Sequence, residues 1–297
     1  MAAGRRNTLS RRHLERLEGF TRFSPAVGKL DEVAFGELMA ADPDQALALL
    51  AEASRATDPK LRELARRLAP LVMIDVARRG RHRPAGVGTM ATQRYQPDAG
   101  DLDVDASVEA LTQHHAGAGL DIDGLRVRGW SRPTTALCLL VDHSGSMGGR
   151  PLAAAAVGAA AVALRAPAQY AVASFASTVL VLKPMNEQTP ADLVVDDLLA
   201  LRGCGITDLA EALNESGRQL GNAKAARKVT VLLSDCRATA PGDVLAAANG
   251  LDELVIVAPE HDDAEAMTLA TAVGARVATV GGPFGVPAAI DTLLAGT

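Results

Sequence analysis

Apolar residues recur at helical spacing along the first part of the chain. From Leu9 to about Arg83 they return every three to four residues, a spacing that places them on one face of a helix. An Ala- and Leu-rich run follows Asp42, and Pro70 is expected to kink or interrupt the last helix because proline removes a backbone hydrogen bond. This pattern predicts a small helical N-terminal unit at residues 1–83.

After Pro133 the pattern changes to short, nearly continuous apolar runs that alternate with helical segments. Strands of this kind are buried on both faces, as in a mostly parallel sheet with helices on either side. The sequence therefore predicts a doubly wound, Rossmann-like α/β domain at residues 133–297. Strands are predicted at residues 136–142, 170–177, 179–182, 228–235, 253–259 and 275–280, and helices begin near residues 150, 191, 208, 241, 262 and 286.

Between these two parts the periodicity fades. Residues 84–132 contain several glycines, an acidic run at residues 101–105 and a short helical pattern at residues 108–113. The segment is longer than most loops of compact domains. We predict an acidic, glycine-containing connector with one short helix.

Composition supports this fold class and narrows the range of functions. Hydrophobic residues make up 48% of the chain but aromatic residues only 3%, so Ala, Leu and Val must fill the core. Residues 1–100 carry 17 Lys and Arg against 12 Asp and Glu, and the remainder carries 13 against 23. The arginines of the basic part alternate with apolar positions, which favours a solvated helix face over a nucleic-acid site. Nucleic-acid binding stays an alternative that predicts strongly salt-dependent retention on DNA or RNA.

Cysteine usage and hydropathy indicate the compartment. Cys138, Cys204 and Cys236 have no metal-type spacing, and an odd number argues against a disulfide framework. No apolar run reaches the roughly 18 residues of a membrane span, and no apolar segment follows the charged first residues. We therefore expect a cytoplasmic protein with reduced thiols and no membrane span.

Oxygen-bearing side chains accumulate where ligands bind in such sheets. Asp142 ends the first predicted strand of the α/β domain, and Ser144 and Ser146 follow it on the turn into the next helix. Thr207 lies in a later glycine-containing loop, and Asp235 ends a strand. Open α/β sheets bind ligands beyond the carboxyl ends of their strands, so these five residues are predicted to converge there.

Two carboxylates and three hydroxyls suit a hard, small cation. Mg²⁺ takes near-octahedral oxygen ligands and retains waters where the protein supplies few charges, whereas zinc and iron sites use His and Cys clusters. Each hydroxyl taken alone has a structural alternative. Ser144 or Ser146 could cap the following helix, and Thr207 could cap the helix that begins at Asp208.

The three motifs together resemble a known site. The DxSxS run from Asp142, the Gly-x-Thr-Asp around Thr207 and the Ser-Asp that ends at Asp235 resemble the metal-ion-dependent adhesion site of von Willebrand factor A domains. The resemblance covers about residues 133–297. It implies that Ser144 and Ser146 bind the ion directly, Thr207 directly or through water, and the two Asp residues largely through water.

The resemblance also implies a function and a partner. In that family a Glu or Asp of a partner protein completes the ion's coordination, so the site serves protein recognition and not catalysis. Mg²⁺ is the expected ion, with Mn²⁺ or Ca²⁺ as alternatives. Other residues of the same loops are predicted to form a rim that meets the partner, namely His143, Met147, Gly205 and Asp208.

The layout as a whole is similar to bacterial proteins that act with MoxR-type AAA+ ATPases, among them CoxE-like and magnesium-chelatase subunits. The chain has no Gly-x-x-x-x-Gly-Lys-Ser/Thr loop, so a partner would have to supply the ATPase. The predicted function is an adaptor that couples ATP-driven protein remodelling, or metal or cofactor insertion, to a target. The alternative is a Mg²⁺-dependent phosphohydrolase that uses Asp142 or a metal-bound water.

Overall fold

The computed structural model describes residues 8–80, 89–95, 101–115, 122–131, 134–143, 149–201 and 205–295. The chain divides into two compact units. One unit joins Met1–Arg83 to Thr135–Thr297, and the other is Pro84–Thr134. The predicted boundaries at residues 83 and 132 stay predictions.

The N-terminal residues form helices, as their periodicity predicts. Aspartates begin the longer helices, because a carboxylate at the N-cap accepts hydrogen bonds from backbone N–H groups that have no partner within the helix. The last helix continues across Pro70, so the alternative of an interruption is wrong. The helices are α1 (Arg11–Leu14), α2 (Phe20–Phe23), α3 (Glu32–Ala41), α4 (Pro43–Ala53) and α5 (Pro59–Arg79).

The segment predicted as a connector contains a small sheet. Strand β1 (Thr89–Arg94) pairs antiparallel with β3 (Arg126–Ser131), which also pairs with β2 (Asp101–Leu102). The predicted short helix is confirmed as α6 (Val108–His115). The strands were not predicted because each is short, without a continuous apolar run, and its pairing partner lies far along the chain.

The fold class predicted for the last part of the chain is confirmed. In the described residues the strands form a six-stranded sheet of order β6-β5-β4-β7-β8-β9, parallel except for the antiparallel edge strand β6. The five parallel strands place their carboxyl ends at one edge. The strands are β4 (Thr135–Asp142), β5 (Tyr170–Phe175), β6 (Val179–Lys183), β7 (Arg227–Leu233), β8 (Leu254–Pro259) and β9 (Arg276–Val280).

Helices cover both faces of this sheet, so it is doubly wound. The side chains of α7, α8 and α12 share one apolar core with one face, and those of α9, α10 and α11 share a second core with the other. Near-continuous burial along β4, β5, β7 and β8 follows from this two-sided cover. The helices are α7 (Gly149–Arg165), α8 (Ala191–Leu199), α9 (Leu209–Gly221), α10 (Val244–Asn249), α11 (Ala264–Val273) and α12 (Val286–Ala295).

Helix α7 lies between the sheet and the N-terminal helices. It is buried on both sides, and its many alanines allow α4, α5 and the sheet to approach closely. The first apolar core therefore includes residues from α4 and α5 as well as from β4 and β7. Within the described residues, no helix is both long and apolar enough to cross a bilayer.

Candidate metal centre

Two predicted ligands lie side by side at the carboxyl edge of the sheet. Strands β4 and β7 are parallel neighbours, and Val141 pairs with Leu233 in their register. Asp142 therefore lies next to the segment that carries Asp235. Both aspartates are half-buried.

A hydroxyl between the two aspartates holds one of them. The side chain of Ser234 is buried, and its Oγ donates a hydrogen bond of 2.8 Å to Oδ2 of Asp142. The same Oγ accepts a hydrogen bond of 2.9 Å from the backbone N–H of Cys236. Ser234 thus links the carboxylate on β4 to the turn after β7. It was missed as a site residue, although a Ser before Asp at the end of an apolar strand was a signal.

The environment of Asp235 disfavours its charge. Burial raises the pKa of this carboxyl group, and the nearby charges of Asp142 and Asp262 raise it further. The backbone N–H of Arg237, 2.9 Å from Oδ1 of Asp235, and the Arg237 charge act in the opposite direction. Two half-buried carboxylates that repel each other are an arrangement that a divalent cation would relieve.

Thr207 is held against the same region. Its N–H donates to Oγ1 of Thr239 at 2.8 Å, and its carbonyl accepts from the N–H groups of Thr239 and Ala240 at 3.0 and 3.1 Å. Thr239 and Ala240 both belong to the segment that follows Asp235. The side chain of Thr207 is buried. The turn after β7 therefore fixes the backbone of this predicted ligand.

The cap of α9 is Asp208 and not Thr207. Oδ1 of Asp208 accepts a hydrogen bond of 3.0 Å from the N–H of Glu211, while its own N–H donates to Ala176 O at 2.7 Å. The structural alternative for Thr207 as a helix cap is therefore wrong. Asp208, predicted as a rim residue, has a carboxylate engaged in this cap.

The other predicted rim residues have different surroundings. Gly205 is exposed, as a rim position requires. His143 is 8% exposed, so the expectation of an exposed side chain is wrong. Its N–H extends the sheet by donating to Phe175 O at 2.9 Å, and burial lowers the pKa of its ring. Met147 lies outside the described residues.

The described part of the predicted ligand set is Asp142, Thr207 and Asp235, whereas Ser144 and Ser146 lie outside the described residues. In the part of the chain that the structure describes, no three His, Cys, Asp or Glu side chains form a group suited to a metal ion. The predicted site differs from such a group, because it has only two carboxylates and takes its remaining ligands from hydroxyl groups. Its donor chemistry fits Mg²⁺, and the five-residue ligand set stays a prediction.

Cys236 adjoins this site in an unusual conformation. Its φ is +63°, the only positive φ of a non-glycine residue in the described chain. Burial raises the pKa of its thiol to about 12, and the charges of Asp235 and Asp142 act in the same direction. The thiol therefore stays protonated at neutral pH, which disfavours a redox or metal-binding role. Cys204 lies outside the described residues.

Comparison with known proteins shows that this chain is similar in structure to several solved structures. One is a von Willebrand factor type A protein from Catenulispora acidiphila, with 19% identity, a TM-score of 0.45 and coverage of 57% of this chain and 43% of that one. Another is the manganese-loaded TRAP protein of Plasmodium vivax, with 15% identity, a TM-score of 0.43 and coverage of 55% and 74%. A third is BatB from Bacteroides thetaiotaomicron, with 13% identity, a TM-score of 0.41 and coverage of 54% and 97%.

These likenesses concern little more than half of this chain, which spans less than half of the Catenulispora structure. No protein-family model matches the chain, and no curated protein matches it.

Proposed function

We propose that this protein is a metal-dependent protein-binding module of the von Willebrand factor A type. Asp142, Ser144, Ser146, Thr207 and Asp235 hold one Mg²⁺, with Mn²⁺ or Ca²⁺ as alternatives, and a Glu or Asp of a partner protein completes the site. The observation that carries the proposal is the pair of half-buried carboxylates, Asp142 and Asp235, at the carboxyl edge of the sheet.

Each described residue has a distinct task in this function. Ser234 holds the Asp142 carboxylate by a hydrogen bond, so the carboxylate does not have to be ordered when an ion arrives. The turn after β7 holds the Thr207 backbone from both its N–H and its carbonyl. The bound ion would supply an electrophilic centre, and two carboxylates among neutral hydroxyls leave it able to attract a third carboxylate.

The proposed partner is a MoxR-type AAA+ ATPase or its target in the cytoplasm. This chain then acts as an adaptor without catalytic activity of its own, in protein remodelling or in metal or cofactor insertion. The proposal draws on the resemblance of the three motifs and of the overall layout. Residues 1–83 would dock the ATPase or mediate self-association, while residues 84–132 connect the two parts.

The proposal is tested by metal binding and by metal-dependent capture. Calorimetric titration of Mg²⁺ into the full chain is expected to show one site, which is lost in the double variant Asp142→Asn with Asp235→Asn. A pull-down from native extract is expected to retain partner proteins in Mg²⁺ and release them in chelator. Equal Mg²⁺ binding by the double variant would refute the ligand set.

A turnover assay separates the adaptor from the alternative enzyme. The full chain is incubated with a generic aryl phosphate and Mg²⁺. Hydrolysis that follows the pure protein and disappears in Asp142→Asn would establish the phosphohydrolase instead of the adaptor.

A further inference from the structure

A cavity of about 450 Å³ opens directly beside the paired carboxylates. It lies between the first turns of α7, the carboxyl ends of β4, β7, β8 and β9, and the start of α12. Most of its wall is apolar. The side chains that form this wall include Val141, Ala154, Leu233, Val257, Val280 and Val286.

The charges of the cavity lie on the side of the proposed metal centre. Asp142 and Asp235 line it there together with Asp262, which forms an ion pair with Arg237. Arg150, at the start of α7, is the cationic side chain that lines the cavity. Arg237 offsets the charge of Asp262, and the proposed cation would offset those of Asp142 and Asp235, so the apolar wall and not a net charge favours a neutral group in the cavity.

We propose that this cavity receives an aliphatic side chain that flanks the acidic residue of the partner. The inference rests on the proposed function, because the metal centre must first hold the partner's carboxylate. The acid then binds at the ion, and the neighbouring Leu, Ile, Val or Met side chain enters the apolar cavity. The partner is thus defined as an acidic segment with an aliphatic neighbour.

Size and continuity support this occupant. The volume lies within the range of pockets that enclose small ligands, so one aliphatic side chain and part of its backbone fit. Asp142 and Asp235 belong both to the proposed ligand set and to the cavity lining, so one short segment can reach both places. Removing apolar surface from water favours this binding without a further charged contact.

The test uses synthetic peptides of fixed composition and the full chain. Acetyl-Gly-Leu-Glu-Leu-Gly-amide is titrated in Mg²⁺ and in chelator and followed by NMR. One comparison peptide has both leucines replaced by glycine, and another has glutamate replaced by glutamine. We expect the leucine peptide to bind about tenfold more tightly than the glycine peptide in Mg²⁺, as expected for burial of one aliphatic side chain.

A pair of matched variants tests whether the preference for the leucine peptide arises at the cavity. Ala154 lies on α7 at the cavity wall, and Ala154→Leu occupies part of the cavity, so the preference for leucine is expected to fall. Ala288→Leu makes the same change on α12 at a half-buried position outside the cavity lining, and it keeps the preference. Circular dichroism and thermal unfolding are used to check that both variants fold.

The outcomes separate this inference from the proposed function. If the leucine and glycine peptides bind equally well and only in Mg²⁺, the metal centre stands and the cavity proposal is overturned. If neither peptide binds in a Mg²⁺-dependent manner, both proposals are overturned. A leucine preference as large in Ala154→Leu as in the wild type also overturns the cavity proposal, because the occupant then lies elsewhere.

Discussion

Oγ of Ser234 lies 2.8 Å from Oδ2 of Asp142 and donates a hydrogen bond to it. The bond joins two neighbouring parallel strands at the point where both end. The serine also accepts the N–H of Cys236, so the orientation of its hydroxyl follows from the turn after β7. A carboxylate held in this way is ordered before a ligand binds.

Loss of this hydrogen bond should weaken metal binding. Ser234→Ala removes the donor, and we expect the Mg²⁺ affinity to fall by about tenfold, the lower end of the range for residues that orient metal ligands. Ser234→Thr keeps a hydroxyl and serves as the control. Calorimetric titration measures both, and an unchanged affinity of Ser234→Ala would show that Asp142 is oriented by other contacts.

Repulsion between the two carboxylates should destabilise the metal-free protein. Because burial and the charge of Asp142 raise the pKa of Asp235, its ionised form opposes folding at neutral pH. Asp235→Asn keeps an acceptor for the N–H of Arg237, so we expect a higher Tm for this variant in chelator. Mg²⁺ should raise the Tm of the wild type and leave that of the variant unchanged. A lower Tm for the metal-free variant would contradict this.

Most strands and helices of the α/β part could be predicted because their signals are local, whereas the order of the strands in the sheet was not predicted. An apolar run such as that ending at Asp142 defines a buried strand by itself, and the capping aspartate at residue 208 marks the start of its helix. That Asp142 and Asp235 lie at the same edge of the sheet then follows from the rule that parallel strands end at one edge. That their two strands are neighbours is known only from the structure.

Contacts between distant parts of the chain could not be predicted, because they leave no local signal in the sequence. Oδ1 of Asp44, in the first turn of α4, accepts the N–H of Phe284 at 2.7 Å, and nothing in either local sequence indicates this pairing. Burial of His143 depends in the same way on the packing around the end of β4. The short strands of residues 84–134 are too poor in apolar residues to be recognised without their partners.

Because φ of Cys236 is positive, we expect substitutions at this position to differ in their effect on stability, with valine more destabilising than glycine. A β-branched residue fits the left-handed region worst, so Cys236→Val should lower the free energy of unfolding by about 2 kcal/mol. Glycine removes the conformational strain but also the buried thiol, so Cys236→Gly should change stability by less than about 1 kcal/mol. Urea denaturation measures both, and equal destabilisation by the two variants would contradict the strain.

The side chain of Lys183 is buried, and its ammonium group is fully engaged with backbone carbonyls. Its ammonium donates to the carbonyls of Tyr170, Pro184 and Glu187 at 2.6, 2.9 and 2.7 Å and lies 4.3 Å from the centre of the Tyr170 ring. Lys183→Met removes the ammonium that these three carbonyls share, although Pro184 O still accepts the N–H of Glu187 at 3.3 Å. We expect a loss of about 3 kcal/mol in urea denaturation. Lys224→Met, at an exposed position, should have little effect. Similar stability of both variants would show that water replaces the ammonium.

An ion-pair cluster at the opposite edge of the sheet predicts a dependence of stability on pH. Burial of Glu253 opposes its ionisation, but hydrogen bonds and charges of Arg227 and Arg276 outweigh burial and lower its pKa. Arg227 also donates to the carbonyl of Leu294, so the cluster holds the end of α12. Because the folded-state pKa lies below the ordinary value of 4.5, this stabilisation is present above pH 4.5.

The stabilisation should be lost as the pH falls below 4.5 through the folded-state pKa, when Glu253 is protonated. Glu253→Gln cannot ionise, so we expect it to lower the Tm at pH 7 and to narrow the difference from the wild type on acidification. Thermal unfolding from pH 7 to pH 3 measures this difference. A constant difference across that range would contradict a contribution from the ionisation of Glu253.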